Sequence, residues 1–366
     1  MKILHIIGGS PLNGAFKGAF ILHEALINQN INSTILNDFP QYIKTKDKNI
    51  YYINENFFKK ISNLFYIFIE KLIKSIFLKT PRSTFTIGFF GFDITKIPQY
   101  KNADIIHIHW LSQGFISLKS LKKIKKPIVW TMRDMWPFTG GAHYTVDFEE
   151  YEKNFLSKLV RDYKKKMYQK NIQFVAISDW LKVQAEKSNV LSNFKIKKIY
   201  NNIDVKDFDL LKKEYAKSYL EIKTDKKIIL FGAQNPQSKR KGWNIFVDTL
   251  KKLDKSKYFL LLFGSFWSHE TLNKIGIEYL SLGFIDNKKK LNAAYCSSDF
   301  FLFASIQEAF GKTCAEAMAC ETPVICFKNT SVTELIDHKI NGYIVDKINS
   351  DELKIGIEWM TKRIEE

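Results

Sequence analysis

The chain has few cysteines and lacks the segments that direct a protein out of the cytoplasm. Its four cysteines all lie between residues 296 and 326, without metal-ligand spacing and mostly within apolar stretches. The first residues read as a buried strand that ends at two glycines rather than as a signal peptide, and no apolar run reaches the length of a membrane span. We therefore expect a cytoplasmic protein with buried free thiols.

Acidic residues are scarce relative to basic ones, with 38 Asp and Glu against 56 Lys and Arg and a formal net charge of +18. Such a surplus suits nucleic acid, an anionic membrane or an anionic substrate, but a lysine-rich genomic composition also produces it. The lysines are spread over the chain, and no recognised nucleic-acid-binding motif is present. The spread of the lysines and the missing motif therefore argue against nucleic acid, and the charge leaves the other partners open.

Short apolar runs rich in Ile, Val and Phe alternate with longer amphipathic stretches, which is typical of parallel sheets with crossover helices. Repeats and low-complexity tails are absent, and the length favours two domains. We predict an α/β protein with two Rossmann-like, doubly wound parallel-sheet domains facing a cleft. The first spans residues 1–203 with a Lys- and Phe-rich insertion at 41–86, the second spans 204–350, and a C-terminal helix at 351–366 packs back toward the first.

The predicted strands follow the apolar runs. In the first domain they cover residues 2–7, 33–36, 104–109, 127–132 and 173–177, with helices at 20–28, 156–169 and 179–187, the last one capped by Ser178. In the second domain they cover residues 227–232, 258–263, 279–283, 299–303 and 323–327. Ligands of such folds bind outside the carboxyl ends of the strands, so polar residues that follow a strand are candidates for the site.

Two glutamates follow the predicted strand at 299–303. Glu308 lies in a loop, and Gly311 then opens a helix whose free N–H groups form an anion site. Glu316, about one and a half turns into that helix, suits hydrogen bonds from vicinal hydroxyls such as those of a ribose. Either residue alone is an ordinary solvated carboxylate, but together they favour a ligand-binding role.

A basic cluster follows the strand at 227–232. Lys239, Arg240 and Lys241 stand at a predicted helix start, where cations and free N–H groups suit a diphosphate. The alternative is a solvated loop in a basic protein. The glycine-rich turn after the first strand, with Gly9 and Gly14, does not fit G-x-G-x-x-G; it fits equally well a turn that approaches the phosphates of a ligand held by the second domain.

Polar and aromatic residues also follow two strands of the first domain. His107 and His109 alternate onto one face of a strand, where we expect His107 to be a packing residue. The loop after the next strand contains Arg133, Asp134, Trp136, His143 and Tyr144. Its aromatic faces suit a sugar ring, and the alternative is a hydrophobic plug. The D-F-D triplet at residues 207–209 lies just past the domain seam, where helix-start acids are ordinary, so we expect no metal site there.

The insertion contains an amphipathic stretch at residues 57–78, where Glu70, Lys71 and Lys74 interrupt Phe, Leu and Ile. Two interpretations stay open. The stretch lies on an anionic membrane surface where a lipid-linked acceptor waits, or it belongs to a helix pair that covers the sheet of the first domain.

These motifs resemble those of family 4 retaining glycosyltransferases, which have the GT-B architecture. E-A-F-G-K-T-C-A-E at residues 308–316 is similar to the family's E-x7-E element, N-N-I-D at 201–204 to its N-G-[IV]-D, and K-G at 241–242 to its phosphate-binding lysine. R-D-M-W-P-F-T-G-G-A-H-Y at 133–144 resembles a stretch of bacterial exopolysaccharide and lipopolysaccharide transferases. The resemblance covers most of the chain.

The resemblance implies Glu308 near the transferred sugar, Lys241 on the diphosphate and Glu316 on the donor ribose. It implies catalysis without a metal or other cofactor, and Arg240 supplies a second positive charge. The neighbouring donor-site residues are Phe310, Gly311, Lys312 and Thr313, with Gly9 and Gly14 from the first domain.

On the acceptor side the resemblance implies Arg133, Trp136, His143 and Tyr144. Arg133 stands where the family has a histidine, so the candidate acceptor bases are Asp134, His109 and His143. Asn202 stands where the family has a turn glycine, a position that asparagine tolerates in the left-handed conformation.

We therefore predict a hexosyltransferase of bacterial surface polysaccharide synthesis, serving capsule or lipopolysaccharide. The donor is a nucleoside-diphosphate sugar, with UDP favoured over GDP, and the acceptor is a hydroxyl of a glycan or lipid-linked glycan, with retention at the anomeric carbon. The protein works in the cytoplasm or on the inner face of the cytoplasmic membrane. Two alternatives stay open: a non-catalytic sugar-nucleotide-binding partner and a basic nucleic-acid-binding protein.

Overall fold

The computed structural model describes residues 1–38, 47–53, 56–78, 84–111, 113–148, 154–233, 238–265 and 268–366. The chain divides into two compact units, Met1–Asn202 and Ile203–Glu366. Each unit is built around its own sheet, and every neighbouring strand pair described is parallel. The predicted α/β class with two parallel-sheet domains is confirmed.

The first unit has a seven-stranded sheet with the order β3-β2-β1-β4-β5-β6-β7. Its strands are β1 (Lys2–Ile7), β2 (Asn32–Asn37), β3 (Ile50–Tyr52), β4 (Ile105–Trp110), β5 (Ile128–Met132), β6 (Ile172–Ala176) and β7 (Ile196–Lys198). Its described helices are α1 (Gly14–Asn28), α2 (Phe57–Phe77), α3 (Pro98–Asn102), α4 (Leu118–Leu121), α5 (Phe155–Met167) and α6 (Asp179–Lys187).

The second unit has a six-stranded sheet with the order β10-β9-β8-β11-β12-β13. Its strands are β8 (Lys227–Ala233), β9 (Tyr258–Gly264), β10 (Glu278–Ser281), β11 (Phe300–Phe303), β12 (Val324–Phe327) and β13 (Gly342–Val345). Its described helices are α7 (Lys213–Tyr219), α8 (Trp243–Lys251), α9 (His269–Ile275), α10 (Lys288–Cys296), α11 (Lys312–Ala319) and α12 (Ser350–Glu365). β9, β11 and β12 are buried along their whole length, as expected for strands covered on both faces.

The sequence patterns located the central strands and two of the three predicted helices within one to two residues, whereas α1 begins at Gly14, six residues before the predicted start at residue 20. Helix α6 has the predicted bounds, and its predicted cap is confirmed because Ser178 Oγ accepts a hydrogen bond from the N–H of Leu181 at 3.0 Å. The missed strands β3, β7 and β13 all lie at sheet edges. They are only three or four residues long, and β7 exposes Lys197 and Lys198 as edge strands often do, so they leave little apolar signal.

The predicted insertion contains both an edge strand and a long helix. Of residues 41–86, the segments 41–46, 54–55 and 79–83 lie outside the described residues. The remainder includes β3 and the 21-residue helix α2. Among the described residues, no helix combines the length and the apolarity that crossing a membrane requires.

The C-terminal helix and the turn at Asn202 were also predicted from the sequence. Helix α12 packs against α8 and β13 within the second unit, and its packing toward the first domain stays a prediction. Asn202 does not adopt the left-handed conformation, since the positive φ angles of non-glycine residues occur at other positions. The expected left-handed geometry there is wrong, and a backbone without a positive φ needs no glycine.

Candidate active site

In the second unit, the candidate donor-site residues follow β8 and β11, the two neighbouring strands at which the strand order reverses. In open α/β sheets the carboxyl ends of strands at such a switch point form the usual ligand crevice. The loop after β8 leads to Lys241, and the loop after β11 contains Glu308. The topology therefore brings two residues that are distant in sequence to the same edge of the sheet.

The basic cluster forms a single 3₁₀ turn, Lys239–Lys241, which ends at Gly242. Gly242 has a φ of 70° and is also the N-cap of α8. A Cβ added there would lie 2.0 Å from the carbonyl oxygen of Ala304, directly after β11. Only glycine permits this approach, which holds the basic turn against the loop that contains Glu308.

Glu308 accepts hydrogen bonds from two cations. Its Oε2 atom lies 2.6 Å from Lys241 Nζ and 2.9 Å from Arg240 Nη1. Arg240 also donates to the carbonyl oxygen of Gln307 at 3.2 Å, and its own carbonyl oxygen accepts from the N–H of Ile306. The two chain segments are thus joined by backbone and side-chain bonds together.

Electrostatics in this group favour the ionised form of Glu308. Burial alone would raise the pKa of Glu308, but Lys241 and Arg240 outweigh burial and bring that pKa down to about 2. Burial and Arg240 lower the pKa of Lys241 from its ordinary value, against the opposing effect of Glu308. Two cations and one carboxylate leave the group with a net positive charge suited to an anion.

Glu316 lies in the second turn of α11 and is buried. Its Oε2 atom accepts from the Tyr295 hydroxyl at 3.0 Å, and its Oε1 atom lies 3.4 Å from Lys312 Nζ. Gly311, with a φ of 77°, caps the helix, and a Cβ there would lie 2.4 Å from Val332. The predicted loop, glycine and helix are therefore present, but Glu316 already has partners that a ribose would have to share or displace.

The other candidate donor residues occupy simpler positions. Phe310 is buried, Thr313 is partly exposed in the first turn of α11, and Gly14 begins α1 with open space beside its Cα. Gly9 follows β1 with a φ of 82°, and its N–H donates to Asp38 Oδ1 at 2.7 Å. Gly9 and Gly14 belong to the first unit, and their approach to a ligand of the second unit stays a prediction.

In the first unit, Arg133 lies beside a cluster of histidines. His5 and His107 are register partners on β1 and β4, and His109 stacks on His107 with ring centroids 4.1 Å apart. Arg133 Nη2 lies 3.1 Å from His109 Nδ1, and Nη1 donates to Asn201 Oδ1. Neither contact is with a carboxylate, so the guanidinium charge lacks a direct anionic partner in the described part of the chain.

The hydrogen bonds of Arg133 define the tautomers of this cluster. Because a guanidinium only donates, His109 must accept at Nδ1 and carry its proton at Nε2. That proton is donated to His5 Nδ1 at 2.9 Å, which places the proton of His5 on Nε2, a buried atom without a hydrogen-bond partner among the described residues. Burial first, and neighbouring positive charge second, bring the pKa of His107 down to about 3.

The three histidines are also the one group of candidate metal ligands among the described residues, with ligand atoms within 4.8 Å of one another. Their hydrogen bonds and the adjacent guanidinium favour a packed polar cluster over a cation site. Asp207 and Asp209 of the D-F-D triplet are not in this group. Asp207 pairs with Lys288, and the carbonyl oxygen of Asp209 accepts from Asn292.

Asp134 forms a second polar centre directly after β5. Its Oδ2 atom accepts from Trp110 Nε1 at 2.7 Å and from His143 Nδ1 at 2.6 Å. Its Oδ1 atom accepts from the N–H of Trp136 at 2.9 Å. Asp134 and His143 are thus adjacent, as an acid–base pair requires, but both are buried, and this carboxylate also anchors its own loop.

The structure differs from the prediction for Trp136, which has no face available to a sugar. The side chain is 2% exposed, donates from Nε1 to the carbonyl oxygen of Thr86, and has Lys164 Nζ 3.8 Å from its ring centroid. The hydrophobic-plug alternative therefore describes Trp136, because a buried lysine and a backbone acceptor hold its ring inside the unit. Tyr144, by contrast, is partly exposed.

Sequence reasoning missed residues that complete these groups. Tyr295, which binds Glu316, comes from a helix that carries no motif, and Trp110, which binds Asp134, lies one residue beyond the predicted strand at 104–109. His5 had a detectable signal, since it lies mid-strand in the first apolar run, as His107 does in the fourth strand. Its pairing with that strand follows from the strand order and not from local sequence.

These two parallel-sheet units, with charged groups at the carboxyl ends of the switch-point strands, define a glycosyltransferase of the GT-B type. Residues 20–207 match the family described as Glycosyltransferase Family 4, and residues 212–365 match Glycosyl transferases group 1. The first match covers about half of the chain, and the protein belongs to Glycosyltransferase Family 4. The predicted family is confirmed.

The similar proteins include one from a cps region, one that forms a complex with UDP-glucose and one of lipopolysaccharide biosynthesis. A 41.2 kDa protein from the cps region of Klebsiella pneumoniae is 25% identical over 279 residues, which cover 75% of this chain and 74% of that protein. Anabaena HepE in complex with UDP-glucose has a TM-score of 0.66 at 16% identity, covering 100% of this chain and 91% of HepE. WaaG, a glycosyltransferase of lipopolysaccharide biosynthesis, has a TM-score of 0.66 at 11% identity, covering 98% of this chain and 90% of WaaG. At such low identities the two structural matches establish the fold alone.

Proposed function

We propose that this glycosyltransferase moves a hexose from a UDP-sugar to a hydroxyl of a glycan or lipid-linked glycan, with retention, in bacterial surface polysaccharide synthesis. The observation that carries the proposal is the contact of Arg240 and Lys241 with Glu308 at the carboxyl ends of β8 and β11. Two cations suit binding of the diphosphate, and the adjacent carboxylate suits contact with the sugar that is transferred from it. HepE, whose fold is similar, binds UDP-glucose, which supports the choice of donor.

The proposed chemistry follows from the charge that develops during transfer. Breaking the anomeric bond leaves an oxocarbenium-like sugar and a diphosphate with additional negative charge. Arg240, Lys241 and the free N–H groups at the start of α11 stabilise that leaving group, so we propose that no metal is needed. Glu308 lies where a carboxylate can orient the sugar, and the departing diphosphate takes the proton of the acceptor hydroxyl on the same face, which gives retention.

The acceptor side is assigned to the first unit. Asp134 and His143 are the adjacent pair that can assist the acceptor hydroxyl, whereas the neutral His109 is bound to Arg133 and His5. Tyr144 is the partly exposed aromatic residue of the same loop. We place the protein in the cytoplasm, at the inner face of the cytoplasmic membrane, where a lipid-linked acceptor is accessible.

Thermal unfolding with nucleotides tests the donor site first. Wild type and Glu316→Ala are compared with UDP, with GDP and with UDP plus excess EDTA. A ligand at about 100 times its Kd stabilises the folded protein by about 2.7 kcal/mol, which is readily measured. The proposal expects a shift with UDP that survives EDTA and is lost in Glu316→Ala.

Other results of the thermal-unfolding experiment would change or overturn the proposal. A shift with GDP alone changes the donor, and a shift abolished by EDTA overturns the metal-free mechanism. Absence of any nucleotide shift removes the transferase assignment. A nucleotide shift without sugar transfer to any polysaccharide or lipid-linked acceptor would favour the non-catalytic partner.

A further inference from the structure

Helix α2 is oriented with its polar residues toward the protein and its apolar residues toward solvent. Asn63 and Glu70 are buried, although each is polar or charged. Asn63 Nδ2 donates to the carbonyl oxygen of Gly114 at 3.1 Å, and the carboxylate of Glu70 accepts from the N–H groups of Ile87 and Gly88 at 3.2 and 2.9 Å. Polar contacts therefore fix the helix on the first unit in this orientation.

The solvent side of α2 is a largely apolar surface that Ser75 interrupts near the C-terminal end of the helix. We call it the apolar face of α2, and its members are each at least 48% exposed: Phe57, Phe58, Ile61, Leu64, Phe65, Phe68, Leu72 and Ile76. At about 100° per residue these positions fall within an arc of roughly 120° that runs the length of the helix. A soluble helix normally buries such a stripe, so this one is made for an apolar partner.

The exposed charges of α2 that flank its apolar face are of one sign. Lys60 and Lys71 are exposed and flank one edge of the arc, and the only acidic residue of α2 is Glu70, which faces the protein. The arrangement of aromatic and aliphatic residues beside lysines is that of helices lying in the interface of an anionic bilayer. The chain as a whole, at a net charge of +18, adds a longer-range attraction to the same surface.

A second element extends this surface. Phe77, at the end of α2, contacts Phe155 at the start of α5, with ring centroids 6.3 Å apart. Phe155 is 66% exposed and is followed by exposed Lys158 and Leu159. Apolar and basic residues therefore continue from α2 onto a neighbouring helix of the same unit.

We propose that the apolar face of α2, with Lys60 and Lys71, docks the protein onto an anionic phospholipid bilayer. The helix is about 32 Å long and lies in the interfacial plane with its phenylalanines below the headgroups. A second copy of this chain is the less suitable occupant, since pairing two such faces crowds their lysines and provides no acidic partners. Membrane docking is inferred independently of the transfer reaction. It rests on the proposed function only where it connects the bilayer with a lipid-linked acceptor.

Vesicle co-sedimentation of the full chain tests this surface without any sugar nucleotide. Wild type is expected to bind phosphatidylglycerol-containing vesicles, to bind pure phosphatidylcholine much more weakly, and to lose affinity as salt is raised. Phe65→Glu/Phe68→Glu is expected to lose at least tenfold of the binding. Lys60→Glu/Lys71→Glu is expected to lose more than about fivefold per lysine, since each lysine near an anionic surface contributes that factor and each new glutamate is repelled.

Matched controls in the second unit test whether the position of a substitution matters, or only the charge that it introduces. Leu210→Glu/Ile340→Glu introduces the same charges at two exposed apolar positions, and Lys251→Glu/Lys255→Glu reverses two exposed lysines there. Both controls are expected to retain more binding than the α2 variants. All variants are checked for native circular dichroism and for the UDP-dependent thermal shift, because the substituted side chains are exposed and their loss should leave the fold intact.

Three outcomes would overturn the inference: no binding of wild type to anionic vesicles at low salt, equal losses in control and α2 variants, or a concentration-dependent dimer that the Phe65/Phe68 substitutions dissociate. Loss of donor binding can be distinguished from loss of membrane docking, since Glu316→Ala should bind vesicles as wild type does. A protein that transfers no sugar but still binds vesicles through α2 would contradict the proposed function and support the membrane-docking surface.

Discussion

Lys241 Nζ lies 2.6 Å from Glu308 Oε2, although 67 residues separate the two along the chain. Arg240 binds the same oxygen, so without ligand the two cations are held by one carboxylate and retain a net positive charge. A diphosphate carries more negative charge than the carboxylate does, and we expect it to compete with Glu308 for both cations. Binding of the donor would thereby free Glu308 to contact the sugar at the moment when the cations engage its leaving group.

Removing the lysine charge should therefore impair transfer more than folding. We expect Lys241→Met to lower kcat/KM by about 10²-fold, or about 3 kcal/mol of transition-state stabilisation, as deleting one donor to a developing anion does. Release of UDP from a UDP-sugar in the presence of acceptor measures this rate. Lys239→Met is the matched control, since Lys239 belongs to the same 3₁₀ turn but its side chain is exposed. Equal losses in the two variants would contradict a specific role for Lys241.

Glu316 presents a different test, because its carboxylate is already bound by Tyr295 at 3.0 Å. If Glu316 binds the donor ribose, Glu316→Gln should weaken UDP binding by about tenfold or more, as expected for hydrogen bonds to a charged acceptor. Tyr295→Phe removes the internal partner and keeps the carboxylate, so it should lower stability by about 1 kcal/mol and change UDP affinity little. Calorimetric titration with UDP and urea unfolding measure both. A larger loss of affinity in Tyr295→Phe would make Glu316 a structural residue.

The sequence was sufficient for the class of fold and for the order of the donor-site segments. Short apolar runs rich in Ile, Val and Phe identified the central strands, and Gly311 and Ser178 identified helix starts, because these signals are local. The contact of Lys241 with Glu308 was not visible in either motif. It depends on β8 and β11 being neighbours and on Gly242 meeting Ala304, and both are properties of the assembled sheet.

In the first unit, local sequence did not show which side chains point into the protein and which point to solvent. The sequence left Trp136 open between a sugar-binding face and a hydrophobic plug, because aromatic residues after a strand serve a core and a site equally well, and the structure shows that it is buried. Helix α2 was recognised as amphipathic, but periodicity does not state which face is turned inward. Only the contacts of Glu70 with Ile87 and Gly88 reveal that the charged side is the buried one.

Arg133 should control the protonation of the histidine cluster. Burial and the guanidinium charge bring the pKa of His107 down to about 3, below its value of about 6.5 in an unfolded chain. The folded state therefore binds fewer protons than the unfolded state below pH 6.5, and its stability should fall as the pH drops from there through about 3. In Arg133→Gln the pKa of His107 should rise and this loss of stability should become smaller.

Histidine proton resonances, followed by NMR as a function of pH, measure that pKa directly. Urea unfolding of the first unit at several pH values gives the stability. Arg363→Gln removes an exposed arginine of α12 and is the matched control. An unchanged His107 titration in Arg133→Gln would mean that burial alone sets it, and Arg133 would then have no electrostatic role in the cluster.

Glu70 should make the attachment of α2 weaker as the pH rises. Burial raises the pKa of Glu70 to about 7, although the N–H groups of Gly88 and Ile87 oppose that rise by binding the ionised form. The unfolded chain releases this proton near pH 4.3, so between about 4.3 and 7 the folded state retains a proton that the unfolded state has lost. Stability that is fully present below pH 4.3 is therefore lost as the pH passes through 7, by about 4 kcal/mol in all.

Glu70→Gln cannot ionise, so its stability relative to wild type should increase over this pH interval. The amide also gives up one acceptor oxygen for Ile87 or Gly88, which adds a constant, pH-independent loss. Urea unfolding of the first unit, or trypsin cleavage at the lysines of α2, measures the difference, with Glu24→Gln on the exposed side of α1 as control. A difference that stays constant from below pH 4.3 to above pH 7 would contradict the prediction. The carboxylate would then be ionised throughout, with its charge stabilised by the backbone N–H groups that fix the helix to the protein.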